Sequence, residues 1–555
     1  MAALAQPDAA ATTGDKGQQK KGFMSELVHD FIMQSALRTP GAPALAHGAV
    51  RLDYAALATA VSGAANALLA AGIGRAERVA VYLEKRVENV AACFGAAAAG
   101  AVFVPVNPLI KPEQVAYILR DCNVSILVTS ADRLRLLEPV LAACPGLRAV
   151  LVAGIMREGR NAAGGPALLA WDAPAPQGKP HRVIDTDMAA ILYTSGSTGS
   201  PKGVVLSHRN LVAGARSVAE YLDVNPADRI LAVLPLSFDY GLSQLTSAFY
   251  AGACVVLINH LFPRDIVKAV ADEAITGLAA VPPLWIQLSQ LDWRAPCTLR
   301  YLTNSGGAMP APTIAALRAA LPQARLFLMY GLTEAFRSTY LPPEQIDARP
   351  GSMGRAIPNA EVMVVRPDGS LCAPGEAGEL VHRGALVALG YWNDPVRTAE
   401  RFRPAPGRDP GLTLPEMAVW SGDTVRQDAD GYFYFVGRTD DMIKVSGYRI
   451  SPTEIEEVAH ATGLVAEVAA FGLPHPVLGQ AIVLLAVARE AEQLNLAPLD
   501  AETLRRECQR RLPAYMLPAH VEIRPNALPR NPNGKIDRAL LRQSYSQLFE
   551  SVATP

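Results

Sequence analysis

Short apolar runs alternate with amphipathic or alanine-rich stretches through most of the chain. Runs of Val, Ile and Leu this short are typical of buried strands, and the helical stretches between them indicate a layered α/β body. The runs that we interpret as strands are 78–83, 102–106, 124–128, 149–152, 189–193 and 230–234. Gly- and Pro-rich segments at 154–182 and 404–415 predict surface loops.

The longest apolar stretch, 90–106, changes character at its middle, where Gly95, Gly100 and Pro105 interrupt it. A membrane-spanning helix needs about 20 apolar residues in a row. We therefore predict an alanine-rich helix that leads into a strand at 101–106, and no membrane span.

The pattern changes after Gly437. Ser451, Pro452 and Glu454 have the spacing of a helix start, with a serine cap, proline in the first turn and glutamate three residues on. Apolar strands near 465–471 and 481–488 and a helix near 502–511 would complete a compact α+β unit. We therefore predict a large multi-subdomain N-terminal body at 23–439 and a small C-terminal α+β domain at 440–555.

Composition narrows the classes of partner. The 555 residues carry a formal net charge of −1, so no excess of basic residues is present to neutralise a nucleic acid, and we expect small-molecule chemistry instead.

Seven cysteines occur without a C-x-x-C pair, which favours neither a disulfide framework nor a zinc cluster and fits a reducing cytoplasm. The segment 1–22 has no continuous apolar core, so we expect a disordered tail rather than a signal peptide.

The strongest local signal for chemistry is YTSGSTGSPKG at 193–203. Glycines let backbone N–H groups turn toward phosphate oxygens, the hydroxyl residues add donors, and Lys202 supplies positive charge. No lysine is followed by Ser or Thr in the register of a Walker loop. Taken alone, the segment fits a flexible surface turn equally well.

Further motifs follow in a fixed order. They are NSGGAMP at 304–310, YGLTE at 330–334, WSGD at 420–423, GRTDDMIKVSGYR at 437–449 and PRNPNGKIDR at 529–538. Together they resemble the adenylate-forming superfamily of acyl-CoA synthetases, luciferases and adenylation domains of nonribosomal peptide synthetases, over about 27–541. LSFDYGL at 236 and YGLTEAFRSTYLPPE at 330 look most like free-standing carrier-protein ligases of the prolyl and exosortase-associated acyl types.

The resemblance implies an AMP-binding domain followed by a small mobile domain, with ATP and Mg²⁺ as cofactors. It assigns the β- and γ-phosphates of ATP to Thr194, Ser195, Gly196, Ser197, Thr198, Gly199 and Lys202. It assigns the adenine site to Gly306, Gly307, Ala308, Tyr330 and Gly331, the α-phosphate to Thr333, the ribose to Asp423 and Arg438, and the phosphates again to Arg449. Glu334 is implied as the Mg²⁺ ligand, which suits a hard oxygen donor.

Catalysis is implied to be divided between two conformations of the small domain. Lys535 matches the lysine that bridges the substrate carboxylate and a phosphate oxygen while charge develops. Asp440 matches the hinge, and Lys444 and Gly447 lie on the face that would admit a pantetheine arm. Such a gate keeps water from a reactive mixed anhydride.

The acid pocket is implied to begin at Asp239, which falls where peptide synthetases pair an aspartate with the substrate's α-ammonium group. The residues that would line the pocket are Tyr240, Ser243, Ala280, Ser305, Met329, Phe336 and Arg337. Because a buried carboxylate without a partner is unfavourable, we expect an amino acid or a small polar acid. Arg337 leaves two alternatives open, since it would either neutralise Asp239 and leave room for a plain acyl chain or meet a second carboxylate.

The expected acceptor is a phosphopantetheine thiol. No carrier-protein motif of the L-G-G-x-S type occurs in the sequence, so we expect a separate carrier protein, with free CoA and a fatty or aryl acid as the alternative. A luciferase-like oxygenase and a catalytically inactive nucleotide-binding regulator are the alternatives from other classes. Retention of Glu334, Asp423, Arg438, Lys444 and Lys535 together argues against the inactive regulator.

Overall fold

Three β-sheets with flanking helices form the part of the molecule that the structure describes. The computed structural model describes residues 26–154, 165–194, 201–293, 297–407, 409, 411–438, 441, 443–445, 448–475, 478–489, 499–512, 514–531 and 534–549. The helices are α1 Asp30–Arg38, α2 Tyr54–Ala70, α3 Val87–Ala99, α4 Pro112–Asp121, α5 Ala131–Leu141, α6 His208–Leu222, α7 Asp239–Ala251, α8 Pro263–Asp272, α9 Pro282–Leu288, α10 Ala311–Ala320, α11 Pro395–Arg401, α12 Pro452–Ala461, α13 Ala501–Gln509 and α14 Arg538–Ser544. Short 3₁₀ turns lie at Thr333–Ala335, Pro343–Gln345 and Ala514–Met516.

The first sheet is long and mixed. Its strands are β1 Pro43–His47, β2 Val50–Asp53, β10 Arg229–Ala232, β11 Cys254–Leu257, β12 Gly277–Ala280, β13 Tyr301–Asn304, β14 Arg325–Tyr330, β15 Thr339–Leu341, β16 Ser352–Ala356, β17 Ala360–Val365, β18 Ala377–Gly384, β20 Phe402–Pro404, β21 Met417–Gln427 and β22 Phe433–Arg438. Strands β10, β12, β13 and β14 are parallel neighbours, so their carboxyl ends meet at one edge. Ligands of open α/β sheets bind at such an edge.

The second sheet is parallel at its centre and antiparallel where β8, β9 and β19 pair. Its strands are β3 Arg78–Tyr82, β4 Val102–Pro105, β5 Val124–Ser130, β6 Ala149–Ala153, β7 Ala167–Ala170, β8 Met188–Thr194, β9 Lys202–Ser207 and β19 Gly390–Tyr391. One apolar core joins the first and second sheets through α3 and α7, where the rings of Phe94 and Phe249 meet edge to face at 5.5 Å.

The C-terminal part of the chain has its own apolar core. Its strands are β23 Ile443–Val445, β24 Tyr448–Ile450, β25 Val465–His475, β26 Gly479–Ala488 and β27 His520–Arg524. Helices α12 and α13 pack on this sheet through Ile455 and Leu504. The predicted fold class, a layered α/β body followed by a smaller α+β domain, is therefore confirmed, whereas the exact boundary at 440 stays a prediction.

The strand predictions are confirmed, with ends that differ from the apolar runs by at most two residues except in β25, which runs four residues further, to His475. The prediction of a surface loop at 154–182 is wrong in part, because β7 lies within it as an edge strand of the second sheet. The helix start at Ser451 is confirmed, but its serine cap is wrong. The Ser451 hydroxyl is buried and makes no hydrogen bond with any described residue, so it does not accept from the first turn.

The apolar stretch at 90–106 folds as predicted. Helix α3 ends at Ala99, Gly100 takes a left-handed conformation with φ of +83°, and β4 follows. Across the described ranges, no helix is both long enough and apolar enough to cross a bilayer.

Candidate active site

The carboxyl ends of the parallel strands bring the predicted site residues to one edge. Ala280 ends β12, Asn304 ends β13 and is followed by Ser305 to Ala308, and Tyr330 ends β14. The 3₁₀ turn Thr333–Ala335 follows directly, and α7 begins at Asp239 beside the same edge. Motifs that are distant in sequence thus converge on one cleft.

The phosphate end of the site is a cluster of Lys202, Glu334 and Tyr391. The Lys202 ammonium group donates to Glu334 Oε1 at 2.8 Å and to the Tyr391 hydroxyl at 2.7 Å, and the Tyr391 hydroxyl donates to the same Oε1 at 2.5 Å. The ammonium group also lies 4.2 Å from the centre of the Tyr391 ring. Strand pairing explains this cluster, because Lys202 begins β9 and Tyr391 ends β19, which pairs with β9.

Thr194 faces Lys202 across the β8–β9 hairpin. Within the described chain, no group bonds to its buried hydroxyl, which leaves that hydroxyl available to a ligand. The predicted phosphate residues Ser195, Gly196, Ser197, Thr198 and Gly199 lie between these strands, outside the described residues.

Electrostatics keep Glu334 ionised. Burial alone would raise the pKa of its carboxyl group, but the charge of Lys202 and the hydrogen bonds from Lys202 and Tyr391 outweigh burial, so the pKa is lowered. The pKa of the Tyr391 hydroxyl is raised by burial and by the neighbouring Glu334 carboxylate, which keeps this hydroxyl a donor.

The Glu334 carboxylate fits the predicted Mg²⁺ site. It is ionised and buried, and the contacts that hold it converge on Oε1. Elsewhere in the described ranges, no group of three or more His, Cys, Asp or Glu side chains is arranged to hold a metal. Mg²⁺ commonly takes one or two carboxylates together with phosphates and waters, and a bound ion here would neutralise phosphate charge.

The predicted nucleotide side of the cleft joins strands β14 and β21. The Tyr330 hydroxyl donates to Asp423 Oδ2, and Asp423 pairs in register with Arg438 on β22. The Asp423 amide is held by the Ser421 hydroxyl at 3.1 Å, and that hydroxyl donates to the Leu380 carbonyl at 2.7 Å. An aromatic ring and a carboxylate therefore lie side by side, as adenine and ribose would require.

Gly306 and Gly331 shape the backbone on the predicted nucleotide side of the cleft. Gly306 has φ of +85°, a conformation that side chains disfavour, and the following Gly307 carbonyl accepts from the Asn304 amide at 3.0 Å. A Cβ on Gly331 would lie 3.1 Å from Arg337 Cα, so the chain leaves β14 in close contact with the segment that returns beside it. Ala308 is exposed next to Gly307.

The predicted acid pocket contains a small buried cavity of about 20 Å³. Tyr240, Ser243, Met329 and Arg337 line it, as do residues that the sequence did not indicate, namely Gln244, Ser247, Tyr301 and Thr303. Ser305 does not line it, but its hydroxyl accepts from Arg337 Nη1 at 3.3 Å. Ala280 and Phe336 are buried but do not line it, and the Phe336 ring packs against Gly214 instead.

Asp239 begins α7 directly before Tyr240, which lines this cavity. Its carboxylate is buried, and among the described residues its Oδ1 atom has no hydrogen-bond partner. Burial raises the pKa of Asp239, and the positive charges of Arg337 and Lys535 partly offset that rise. The positive charge of Lys535, in the C-terminal part of the chain, therefore acts on the Asp239 carboxyl group.

Lys535 lies in a tight turn that brings Arg530 and Ile536 into a β-bridge. The Asn531 amide donates to the Lys535 carbonyl at 2.8 Å, and Asn531 Oδ1 accepts from the Lys535 amide at 3.1 Å. Asp440 and Gly447 lie outside the described residues, as do the side chains of Arg438, Lys444 and Arg449. The backbone pairs Lys444 with Arg449 across β23 and β24.

Tyr391 is the main functional candidate that the sequence did not reveal. The only local signal is a polar aromatic residue in the segment Gly390 to Asp394, which no motif marks. Its importance depends on β9 pairing with β19, a contact between strands far apart in the chain.

Family models match both parts of the chain. One described as AMP-binding enzyme covers residues 32–392, and one described as AMP-binding enzyme C-terminal domain covers residues 454–535. An L-proline–[L-prolyl-carrier protein] ligase of Pseudomonas fluorescens is 33% identical over 533 residues, which cover 93% of this chain and 99% of the relative. A sulfoacetate–CoA ligase of Cupriavidus necator is 33% identical over 494 residues, which cover 88% of this chain and 92% of the relative.

Solved structures agree with these matches. ATP-bound MatB from Rhodopseudomonas palustris has a TM-score of 0.81 at 25% identity, with 95% of this chain and 100% of that chain covered. The chain therefore belongs to the AMP-binding enzyme family and is an adenylate-forming acid–thiol ligase, as its ordered motifs predicted.

Proposed function

We propose that this enzyme adenylates a small polar acid, an amino acid in the first instance, and transfers the acyl group to the phosphopantetheine thiol of a separate carrier protein. The observation that carries the amino-acid assignment is the buried Asp239 carboxylate, whose Oδ1 has no bonding partner in the described part of the chain. A substrate ammonium group would supply that partner. The likeness to an L-proline–[L-prolyl-carrier protein] ligase over nearly its full length supports both halves of the proposal.

The residues take the roles that their motifs imply. Lys202, Thr194 and 195–199 hold the β- and γ-phosphates, Thr333 holds the α-phosphate, and Glu334 carries Mg²⁺. Tyr330, Gly331 and 306–308 enclose adenine, while Asp423 and Arg438 hold the ribose. Lys535 stabilises the charge that develops as the acid carboxylate attacks the α-phosphorus and pyrophosphate departs.

We further propose two domains, 23–439 and 440–555, that rotate about Asp440 between the half-reactions. The charge of Lys535 at the acid pocket supports the first-half-reaction arrangement for the structure described above. Rotation would withdraw Lys535 and bring Lys444, Gly447 and Arg449 into new positions, with the glycine leaving a narrow passage for pantetheine. Seven unpaired thiols favour a reducing cytoplasm as the place of action.

ATP–pyrophosphate exchange tests the class of acid. We expect exchange with an amino acid, and we expect Asp239→Asn to lower its kcat/KM about 10- to 100-fold because a charged hydrogen bond is lost. Asp347→Asn is a matched control, since Asp347 is an exposed carboxylate paired with Arg318. Exchange with fatty or aryl acids alone, unaffected by Asp239→Asn, would overturn the amino-acid assignment.

Loading assays test the acceptor. With the activated acid, ATP and either CoA or phosphopantetheinylated carrier protein, we expect a mass increase on the carrier protein. The likeness to a sulfoacetate–CoA ligase makes free CoA the second candidate. Rapid thioester formation with CoA and none on carrier proteins would decide for CoA.

A further inference from the structure

Arg337 is a buried cation whose donors are only partly used. Its side chain is 1% exposed, and its Nη1 donates to the Ser305 hydroxyl at 3.3 Å. The guanidinium lies over the Tyr240 ring at 4.7 Å from the ring centre. The Nε and Nη2 atoms have no hydrogen-bond partner among the residues that the structure describes.

A purely structural role explains these contacts poorly. Arginine stays protonated in proteins, so burial does not neutralise it. Asp239 acts on Arg337 electrostatically, yet the two side chains form no ion pair, and Asp239 Oδ1 is itself without a partner in the described structure. Because an uncompensated buried charge is destabilising, the unused donors of Arg337 indicate a role in binding a ligand.

The backbone directly before Arg337 is strained, and it fixes the position of this residue. Phe336 has φ of +56° and ψ of −44°, and the Arg337 amide donates to the Ala335 carbonyl at 2.6 Å. This is a γ-turn of the rare positive-φ form, centred on a bulky residue. Packing of the Phe336 ring against Gly214 maintains it. Strain of this kind persists where the surrounding structure fixes a functional group.

The two unused donors have the geometry of a carboxylate receptor. Nε and Nη2 lie on one edge of the planar guanidinium, the edge that binds both oxygens of a carboxylate side by side. The cavity that Arg337 lines is also lined by Tyr301 and Gln244, whose hydroxyl and Oε1 atoms are buried and unbonded within the described ranges, and by apolar side chains such as Val218 and Leu278. Its volume of about 20 Å³ is room for about one water molecule and leaves no space for an extended apolar chain.

We propose that the acid activated by this enzyme carries a second anionic group, a carboxylate, which binds side-on to Nε and Nη2 of Arg337. The inference rests on the proposed acid-activating function and deepens it. The reacting carboxyl group would face Lys535, the second anion would bind Arg337, and an α-ammonium group would meet Asp239. An acidic amino acid satisfies all three positions, and a dicarboxylic acid without an amine satisfies two.

Pyrophosphate release with matched acid pairs tests this proposal. The pairs are L-glutamate with L-glutamine, L-aspartate with L-asparagine, and succinate with butyrate, so that each pair differs in one terminal charge. We expect the charged member of at least one pair to have a kcat/KM about 10- to 100-fold higher than its partner. Preference for the neutral member in every pair that reacts would overturn the proposal.

Variants of Arg337 separate substrate binding from folding. We expect Arg337→Met to abolish the preference for the charged acid with little change in the melting temperature, because the buried guanidinium forms no ion pair and makes one long hydrogen bond among the described residues. Arg355→Met is the matched control, since Arg355 also lies over a tyrosine ring, Tyr340, but is exposed. An unchanged preference in Arg337→Met, or a large drop in its melting temperature with the preference retained, would assign Arg337 a structural role and overturn the proposal.

Wild-type protein provides a test that does not depend on folded variants. We expect the preferred charged acid to raise the melting temperature in the absence of ATP, and its neutral partner not to do so. Equal shifts from both members would count against the proposal. If no acid releases pyrophosphate, the proposed function itself fails, whereas release without any preference for charge defeats only the role of Arg337.

Discussion

At the scale of single residues, the Tyr391 hydroxyl is the least expected part of the site. It donates to the same Glu334 oxygen that accepts from Lys202, so two donors fix one carboxylate oxygen. Both interactions favour the ionised form of a buried group that desolvation would otherwise neutralise. The position and the charge of Glu334 thus depend on a residue that belongs to none of the recognised motifs.

Tyr391→Phe tests this dependence. The Tyr391 hydrogen bond lowers the pKa of Glu334, so its removal raises that pKa, and the carboxylate is lost at a higher pH as the solution is acidified. We expect the acid limb of the pH profile for pyrophosphate release to move upward, with kcat/KM for ATP about 5- to 10-fold lower. Tyr434→Phe removes a comparable bond to Asp428, of 3.2 Å, away from the site and serves as control. An unchanged acid limb in Tyr391→Phe would contradict this assignment.

At the level of residues, the sequence predicted the motif residues but not the contacts between them. Lys202 and Glu334 were predicted for phosphate and metal, but no sequence pattern indicates that they meet at 2.8 Å. Tyr301, Gln244 and Thr303 look like ordinary strand and helix residues. Only the packing of α7 against β12, β13 and β14 turns them into the lining of one cavity.

At the scale of elements, the start of α7 depends on the absence of a side chain at Gly241. A Cβ there would overlap the Pro235 carbonyl oxygen, closer than any real contact. The first turn of α7 therefore packs directly against the preceding loop, and this contact sets the direction of Asp239 and Tyr240 on that turn.

Gly241→Ala should separate crowding from helix propensity. We expect a loss of about 1–3 kcal/mol in the free energy of unfolding, as for an overpacked core, and a fall in acid activation. Gly63→Ala is the matched control, because Gly63 lies within α2 and a Cβ added there would have no atom within 4 Å. There, alanine should stabilise by about 0.5–1 kcal/mol. Urea unfolding of both variants is the measurement, and a neutral Gly241→Ala would refute the proposed constraint on α7.

Elements were predictable where the sequence pattern was strong. Continuous apolar runs such as those of β3 and β5 stand out because both faces of these strands are buried. Strand β7 was missed because it is a short edge strand with alternating exposure inside a Gly- and Pro-rich segment. The prediction of a Ser451 cap was wrong because the Ser451 hydroxyl is buried and makes no hydrogen bond to the first turn of α12.

At the scale of the whole molecule, the site joins parts of the chain that no local pattern connects. The two large sheets share one core, while the C-terminal part of the chain has a core of its own and contributes Lys535, whose charge acts on Asp239. The ordered motifs implied this assembly through family resemblance, whereas periodicity and composition implied only separate α/β and α+β units. A functional group on a separately packed unit is what a two-step reaction with a conformational gate requires.

The decisive measurement is the rate at which wild-type enzyme and Lys535→Ala form AMP and pyrophosphate with magnesium and the preferred acid. It tests whether the enzyme adenylates an acid with the help of Lys535. We expect the rate to fall about 100- to 1,000-fold in Lys535→Ala, because a positive charge is removed from the developing transition state. Lys268→Ala, at an exposed lysine on α8, should match wild type. Thioester formation from pre-made acyl-adenylate should survive in Lys535→Ala. Undiminished AMP formation in Lys535→Ala, or none in the wild-type enzyme across a broad panel of acids, would contradict the account.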